Sequence, residues 1–207
     1  MSDKAQIRDL VESWALYRDA GDWAAFASVW HPDGWMTATW FQGPAAEFIA
    51  ASRAGFEAGV DILHFLGGHT ARVVGDRAVA QTKMTIQQRA VLDDLPVEVT
   101  CTGRFYDFLA RRDDDWGIVR RQPIYEKDRL DVLVPGTPLA LDEALLAAYP
   151  VGYRHLAYLQ RRLGNTVMRG LPGLRGDAVD LLYREGERWL AGSPTAGTPP
   201  TADLARA

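Results

Sequence analysis

Over residues 5–20 the apolar positions Ile7, Leu10, Val11, Trp14 and Tyr17 recur at spacings of three and four, the stripe by which a helix buries one face against a core. Gly21-Asp22 interrupts the stripe. Asp22 is placed to cap a second helix, on which Trp23, Phe26, Ala27 and Trp30 repeat the spacing until His31-Pro32-Asp33-Gly34 ends it. Two helices thus meet at an elbow. Residues 35–41 read as a strand or loop. Gly43-Pro44 then opens a third helix, with Phe48, Ile49, Ser52 and Phe56 along one side, and it runs out near Gly59.

From residue 62 the period changes. The runs 62–74, 78–91, 97–110 and 116–125 are rich in β-branched and aromatic residues, and Gly75-Asp76, Asp93-Asp94-Leu95-Pro96 and Asp113-Asp114-Asp115 separate them with turn chemistry. Four consecutive strands with short links predict an antiparallel meander. Strands this long must twist and curl, so one face becomes concave and the three N-terminal helices can close it. The expected architecture is α+β: a cone of helices packed on a strongly curved antiparallel sheet, enclosing a pocket. Gly67-Gly68 and Gly103 fit curvature or bulges in such a sheet. Beyond residue 127 helical spacing returns over 141–149, 153–163 and 178–190, an extension wrapped on the cone or on a neighbouring subunit. The chain therefore divides into a domain at 1–126, a helical extension at 127–192 and a Pro-, Thr-, Ala- and Gly-rich tail at 193–207, too poor in apolar bulk to order.

Composition narrows the function classes. With 207 residues, 47% hydrophobic and 24% charged, the chain suits one core large enough to hold a dry pocket. A formal charge of -4 with scattered basic residues argues against nucleic acid. Cys101 is alone, and neither a signal-peptide pattern nor a membrane-length apolar run occurs, so a cytoplasmic protein with no membrane partner is expected. The four His have no metal-ligand spacing and no glycine-rich phosphate loop is present, so neither metal nor other cofactor is expected.

The order of elements, together with Tyr17-Arg18-Asp19-Ala20-Gly21-Asp22-Trp23 at the elbow, His64-Phe65-Leu66-Gly67-Gly68, and Gly103-Arg104-Phe105-Tyr106-Asp107 running into Asp115-Trp116-Gly117-Ile118-Val119-Arg120-Arg121, resembles the SnoaL-like group of the NTF2-like (cystatin-like) superfamily over residues 5–126. Within that group it looks most like the scytalone dehydratases, with hexachlorocyclohexane dehydrochlorinases and bile-acid dehydratases as more distant relatives. The resemblance implies that the family's elbow aspartate falls on Asp19 and its strand histidine on His64, a pair that performs or orients proton abstraction. The family's second histidine would fall near Gln87, the tyrosine before the elbow aspartate falls on Arg18, and another substrate-binding tyrosine falls in Met36-Thr37-Ala38-Thr39. Scytalone itself is therefore not the expected substrate.

A carboxylate beside an imidazole fixes the ring tautomer and raises its basicity, which suits His64 to proton removal near neutral pH; capping by Asp19 and an ordinary strand histidine are the structural alternatives. Lys83 belongs to the period-two polar set Val79, Gln81, Lys83, Thr85, Gln87 and Arg89. That face either meets solvent or a partner, or lines the cavity and makes Lys83 an acid or oxyanion stabiliser. Arg121 can anchor a substrate oxygen or brace Asp107, and Tyr106 or Tyr125 can protonate a leaving oxygen or serve as core. Trp35, Trp40 and Phe41 lie outside the helices and fit an apolar pocket lining, with Tyr17 and Phe65 beside the expected dyad. Cys101, His31 and His155 read as structural.

These residues point to a cofactor-independent lyase acting on a hydrophobic aromatic or polycyclic alcohol, with dehydration first and retro-aldol cleavage second. Asp19, His64 and Lys83 are its catalytic set, and Tyr17, Trp35, Trp40, Phe65, Tyr106, Arg121 and Tyr125 its substrate contacts. A non-catalytic small-molecule carrier and an accessory subunit resembling that of aromatic-ring dioxygenases are the rivals. The outer face of the curled sheet predicts a homodimer or homotrimer.

Overall fold

The computed structural model describes residues 2–195. Helix α1 (Asp3–Ala20) opens under the Ser2 hydroxyl, which accepts from the Ala5 N–H, and closes on Gly21 at φ +74°, the left-handed cap glycine adopts most readily. The Asp22 carboxylate accepts from the Ala25 N–H and starts α2 (Trp23–Ser28). The elbow is thus built by two local caps. The second helix is shorter than expected: Trp30 opens a strand, β1 (Trp30–Thr37), which runs through Pro32 and Gly34. After β2 (Gln42–Pro44) comes α3 (Ala45–Glu57), with Pro44 at its N-cap.

The meander is present as β3 (Asp61–Val74), β4 (Arg77–Leu92), β5 (Leu95–Arg112) and β6 (Asp115–Val132). Two of its hairpins turn on Asp93-Asp94 and Asp113-Asp114, all four residues at positive φ, the tight two-residue turn whose twist matches the strands. The sheet is not purely antiparallel. It is a curved, mixed six-stranded sheet in the order β2-β1-β6-β5-β4-β3, with β1 parallel to β6. A four-strand meander would leave β6 as a bare edge, and β1 covers it. The sheet does not close into a barrel, and β3 remains an edge.

Glycine marks two irregularities of register. One falls between Leu66 and His69 across Gly67-Gly68, the other between Thr102 and Gly103. A Cβ on Gly103 would lie 2.0 Å from the Ile124 carbonyl oxygen, so only glycine permits the close approach there. Strand β6 continues to Val132, past the boundary drawn at 126, because its charged second half pairs with β5 from Thr102 back to Val97. Its period-two charges mimic a polar surface segment when read without the partner strand.

Alternation along the strands separates two cores. The concave face, with Trp14, Phe26, Phe48, Phe105 and Tyr125, is closed by α1–α3 and by α5 (Arg154–Arg162). The convex face carries Tyr106, Phe108, Val119 and Ile124 under α6 (Asp177–Leu190). A short α4 (Glu143–Ala147) packs against α5. The extension therefore does two jobs within one chain: α5 shuts the open end of the cone and α6 covers half of its back. Arg77 hydrogen-bonds the Ser193 carbonyl oxygen; the expected disordered tail lies otherwise outside the described residues from 196 on. Among the described residues no helix is long and apolar enough to cross a membrane.

Candidate active site

Asp19 sits in the last turn of α1, where the helix end disfavours an anion, so its charge needs partners. It finds three. Oδ2 accepts the His64 backbone N–H at 2.5 Å, Oδ1 accepts from the His64 ring Nδ1 at 2.9 Å, and Arg18 Nη1 approaches Oδ1 at 3.2 Å. The backbone contact arises because His64 lies on β3, whose outward N–H groups have no sheet partner. One carboxylate thus fixes the strand, the ring and the cation together. A carboxylate only accepts, so Nδ1 carries the proton and Nε2 is the basic nitrogen.

Burial pushes the imidazolium of His64 down, and Arg18 and Arg121 add to this against the opposing pull of Asp19. The ring is therefore neutral at neutral pH. Burial alone would raise Asp19, but the hydrogen bonds and charges of His64 and Arg18 outweigh it and hold the carboxyl below its ordinary value. Trp14 packs edge-on to the imidazole at 5.2 Å and locks its plane.

His64 lines an inner chamber of about 40 Å³ with Trp14, Arg18, Trp40, Phe105, Gln88, Gln160 and Tyr125 among its walls. Next to it lies a vestibule of about 340 Å³, and the two share Arg18, Trp40, Ile62, Gln88 and Gln160. Burial pushes the Tyr125 phenol well above its ordinary value, so it stays protonated, and Thr39 lies beside it. From Thr39 a relay runs: its hydroxyl donates to Gln160 at 2.6 Å, and the Gln160 amide donates to Gln88 at 3.3 Å. The chamber thus has a base on one wall and a relay of neutral donors and acceptors on others.

The expected site residues divide by face. Asp19 and His64 are brought together, and Trp40 and Tyr125 line the same chamber. Lys83 is 60% exposed and paired with Glu126 at 3.2 Å; Phe65 is 68% exposed. Both lie on the convex face, as the strand period requires of Phe65 next to an inward His64. Tyr106 also points outward and is buried under α6 against Tyr183. Arg121 braces Asp107 in a pair with both side chains fully buried, at 2.6 and 2.9 Å, and stacks over Trp14 and Phe105. Trp35 lines a surface cleft beside Arg77 and Trp189, and Tyr17 packs on the core without lining the chamber. None of Lys83, Phe65, Tyr106, Arg121, Trp35 and Tyr17 reaches the chamber.

Arg18, Thr39, Gln88 and Gln160 also line the chamber. Gln88 continues the inward set Ala78, Ala80, Thr82, Met84 and Ile86, so a polar side chain on the apolar phase was the signal available. Gln160, Thr39 and Arg18 gave no such signal. His155 makes the same paired contact with Asp128, at 2.6 Å to its backbone and 2.8 Å to its ring. That pair lines neither the chamber nor the vestibule and anchors α5 to β6. A dyad becomes a site only where a cavity meets it. Cys101 is buried and its thiol is pushed up by burial, which leaves it inert. Among the described residues no group of three or more His, Cys, Asp and Glu side chains is gathered for a metal ion.

The SnoaL-like domain pattern matches residues 1–122. The chain is 38% identical to an uncharacterized protein of Emericella nidulans, covering 92% of this chain and 87% of that one. It is 35% identical to pea pathogenicity protein 2 of Fusarium vanettenii, covering 92% and 86%. Among solved structures, a scytalone dehydratase-like protein of Novosphingobium aromaticivorans superposes with TM-score 0.53 at 13% identity, over 67% of this chain and 94% of that one. A type 2 hexachlorocyclohexane dehydrochlorinase superposes with TM-score 0.52 at 15% identity, over 67% and 93%. At such identities the structures establish the NTF2-like fold and nothing of the chemistry.

Proposed function

This chain belongs to the SnoaL-like domain family, and from that premise we propose that it is a cofactor-independent lyase acting on a hydrophobic, ring-bearing alcohol. The reading is carried by one observation: a neutral histidine, fixed through Nδ1 by an ionised aspartate, lines the wall of a chamber. His64 Nε2 removes a proton from carbon next to an activating group, and a β-oxygen leaves as water. Tyr125, kept protonated by its burial, assists the departing oxygen. Lys83 and Tyr106 take no part in this mechanism, because the strand period turns them to the opposite face. The inner chamber holds little more than the reacting atoms, given that a water occupies roughly 30 Å³. The vestibule is of a size for the ring system, at the lower end of ligand pockets.

The test is turnover of a panel of aromatic and polycyclic β-hydroxy carbonyl compounds by wild type and His64→Ala, followed by mass spectrometry. Loss of water by wild type, reduced about 10²–10⁴-fold in the variant, is the expected result. Ligand retained equally by both with no turnover overturns the lyase in favour of a carrier.

The half of the convex face that α6 leaves bare presents Leu63 and Phe65, 48% and 68% exposed, on the edge strand β3. This supports self-association, and light scattering is expected to give the mass of a dimer or trimer; a monomer at micromolar concentration would remove this expectation.

A further inference from the structure

The vestibule is lined by one charged residue, Arg18, and by no carboxylate. Arg18 is only 6% exposed. Its Nη1 is committed to Asp19 and, at 3.5 Å, to the Ile62 carbonyl, while its Nε is buried with no hydrogen-bond partner. Asp19 itself is divided between Arg18 and two N–H groups of His64. The guanidinium is thus half neutralised, and the edge of its fork that carries Nε is left over. An unmet buried donor is costly, the more so when charged.

A second orphan lies on the same cavity. Ser52 is 3% exposed on α3, lines the vestibule, and its Oγ has no hydrogen-bond partner. A serine inside a helix ordinarily returns its hydroxyl to the carbonyl four residues back; here it does not. Gln88 completes the set. Its amide oxygen is taken by Gln160, so its NH₂ is the group it can offer. Arg18, Ser52 and Gln88, from three different elements, therefore line one cavity that supplies no anion, with the two orphan donors buried directly behind its wall.

We propose that Arg18, Ser52 and Gln88 form a carboxylate subsite, and that the natural substrate is an aromatic or alicyclic hydroxy acid held by its carboxylate at the mouth of the inner chamber. The free edge of the Arg18 fork matches the two oxygens of a carboxylate, and such paired, charge-assisted bonds are the strong and directional ones. Arg18 lines both cavities, so a carboxylate on it places the adjoining ring atoms at the entrance to the chamber that His64 lines. The proposal rests on the lyase reading for the reacting end of the substrate, but the anion preference itself requires no turnover.

The experiment is titration of the full chain with 2-naphthoate and with the neutral 2-naphthamide, followed by tryptophan fluorescence, since Trp40 lines the vestibule. Wild type is expected to bind naphthoate about ten-fold more tightly than the amide. Arg18→Gln is expected to bring the two to parity with the amide affinity kept, and Ser52→Ala, which leaves the Asp19 network intact, to weaken naphthoate several-fold. Equal affinities in wild type, no naphthoate binding at millimolar concentration, or a preference that survives both substitutions overturns the subsite. His64→Ala separates the two readings. A naphthoate preference retained there while no hydroxy acid is turned over by wild type sinks the lyase and leaves the subsite standing; turnover lost in that variant with no carboxylate preference in wild type does the reverse.

Discussion

Asp19→Asn is expected to lower kcat by about 10²–10⁴-fold, the range for removing general base assistance. The amide would present an N–H to the ring in place of an acceptor, which favours the tautomer with its proton on Nε2, the nitrogen that must take one from the substrate. The pH dependence follows from the directions at the pair. Both His64 and Asp19 are held below their ordinary values, so the active form, neutral His64 beside ionised Asp19, persists as pH falls through 6.5, the ordinary value for the imidazole. The acid limb of kcat/KM in wild type therefore lies below 6.5. Stability has the same sign. At pH values under 6.5 the unfolded chain binds a proton at this histidine that the folded chain refuses, so stability is complete above that value and declines as the pH falls toward the folded value. An acid limb above 6.5, or an Asn variant with unchanged kcat, would contradict the dyad.

Asp107→Asn is expected to cost about 3–5 kcal/mol of folding stability, because it leaves the Arg121 charge buried without its counter-ion. Both side chains are wholly shielded, and the Arg121 guanidinium lies 4.3 Å from the Trp14 ring and 4.1 Å from Phe105. These two rings also pack on His64, so the pair props up the side of the imidazole that faces the core. Urea unfolding of Asp107→Asn, Arg121→Met and the double variant Asp107→Leu/Arg121→Met gives the check. The double variant should recover most of the loss, since an apolar pair of similar volume needs no desolvation of charge. A single-variant cost under about 1 kcal/mol, the worth of an exposed ion pair, would refute the assignment.

The local signals in the sequence were carried by residues whose meaning does not depend on distant partners. Gly21-Asp22 could only break and recap a helix, the Asp-Asp turns demanded hairpins, and the period-two runs named four strands, because caps, turns and side-chain alternation are settled within a few residues. The pairing of Asp19 with His64 came from the family resemblance rather than from spacing, since 45 residues separate them. The spacing of Trp30 from Trp23 and Phe26 fits a helix. Only the bare edge of β6, formed by residues nearly ninety positions later, makes it a strand. The chemistry of Lys83, Phe65 and Tyr106 suits a pocket, yet all three face away from it. Alternation fixes that neighbouring residues face opposite ways, and only the packed helices decide which way is inward.

What the sequence by itself determined is thus the three N-terminal helices, the four long strands and their order, the helical extension, and the curl of a long-stranded sheet. Which face became the cavity, which of two Asp–His pairs met it, that α5 rather than a neighbouring subunit closed it, and that Arg18 was left half neutralised within it were decided by tertiary structure. These are matters of which surfaces meet, and of which charges are left without water or partner when they do, and no local pattern encodes them.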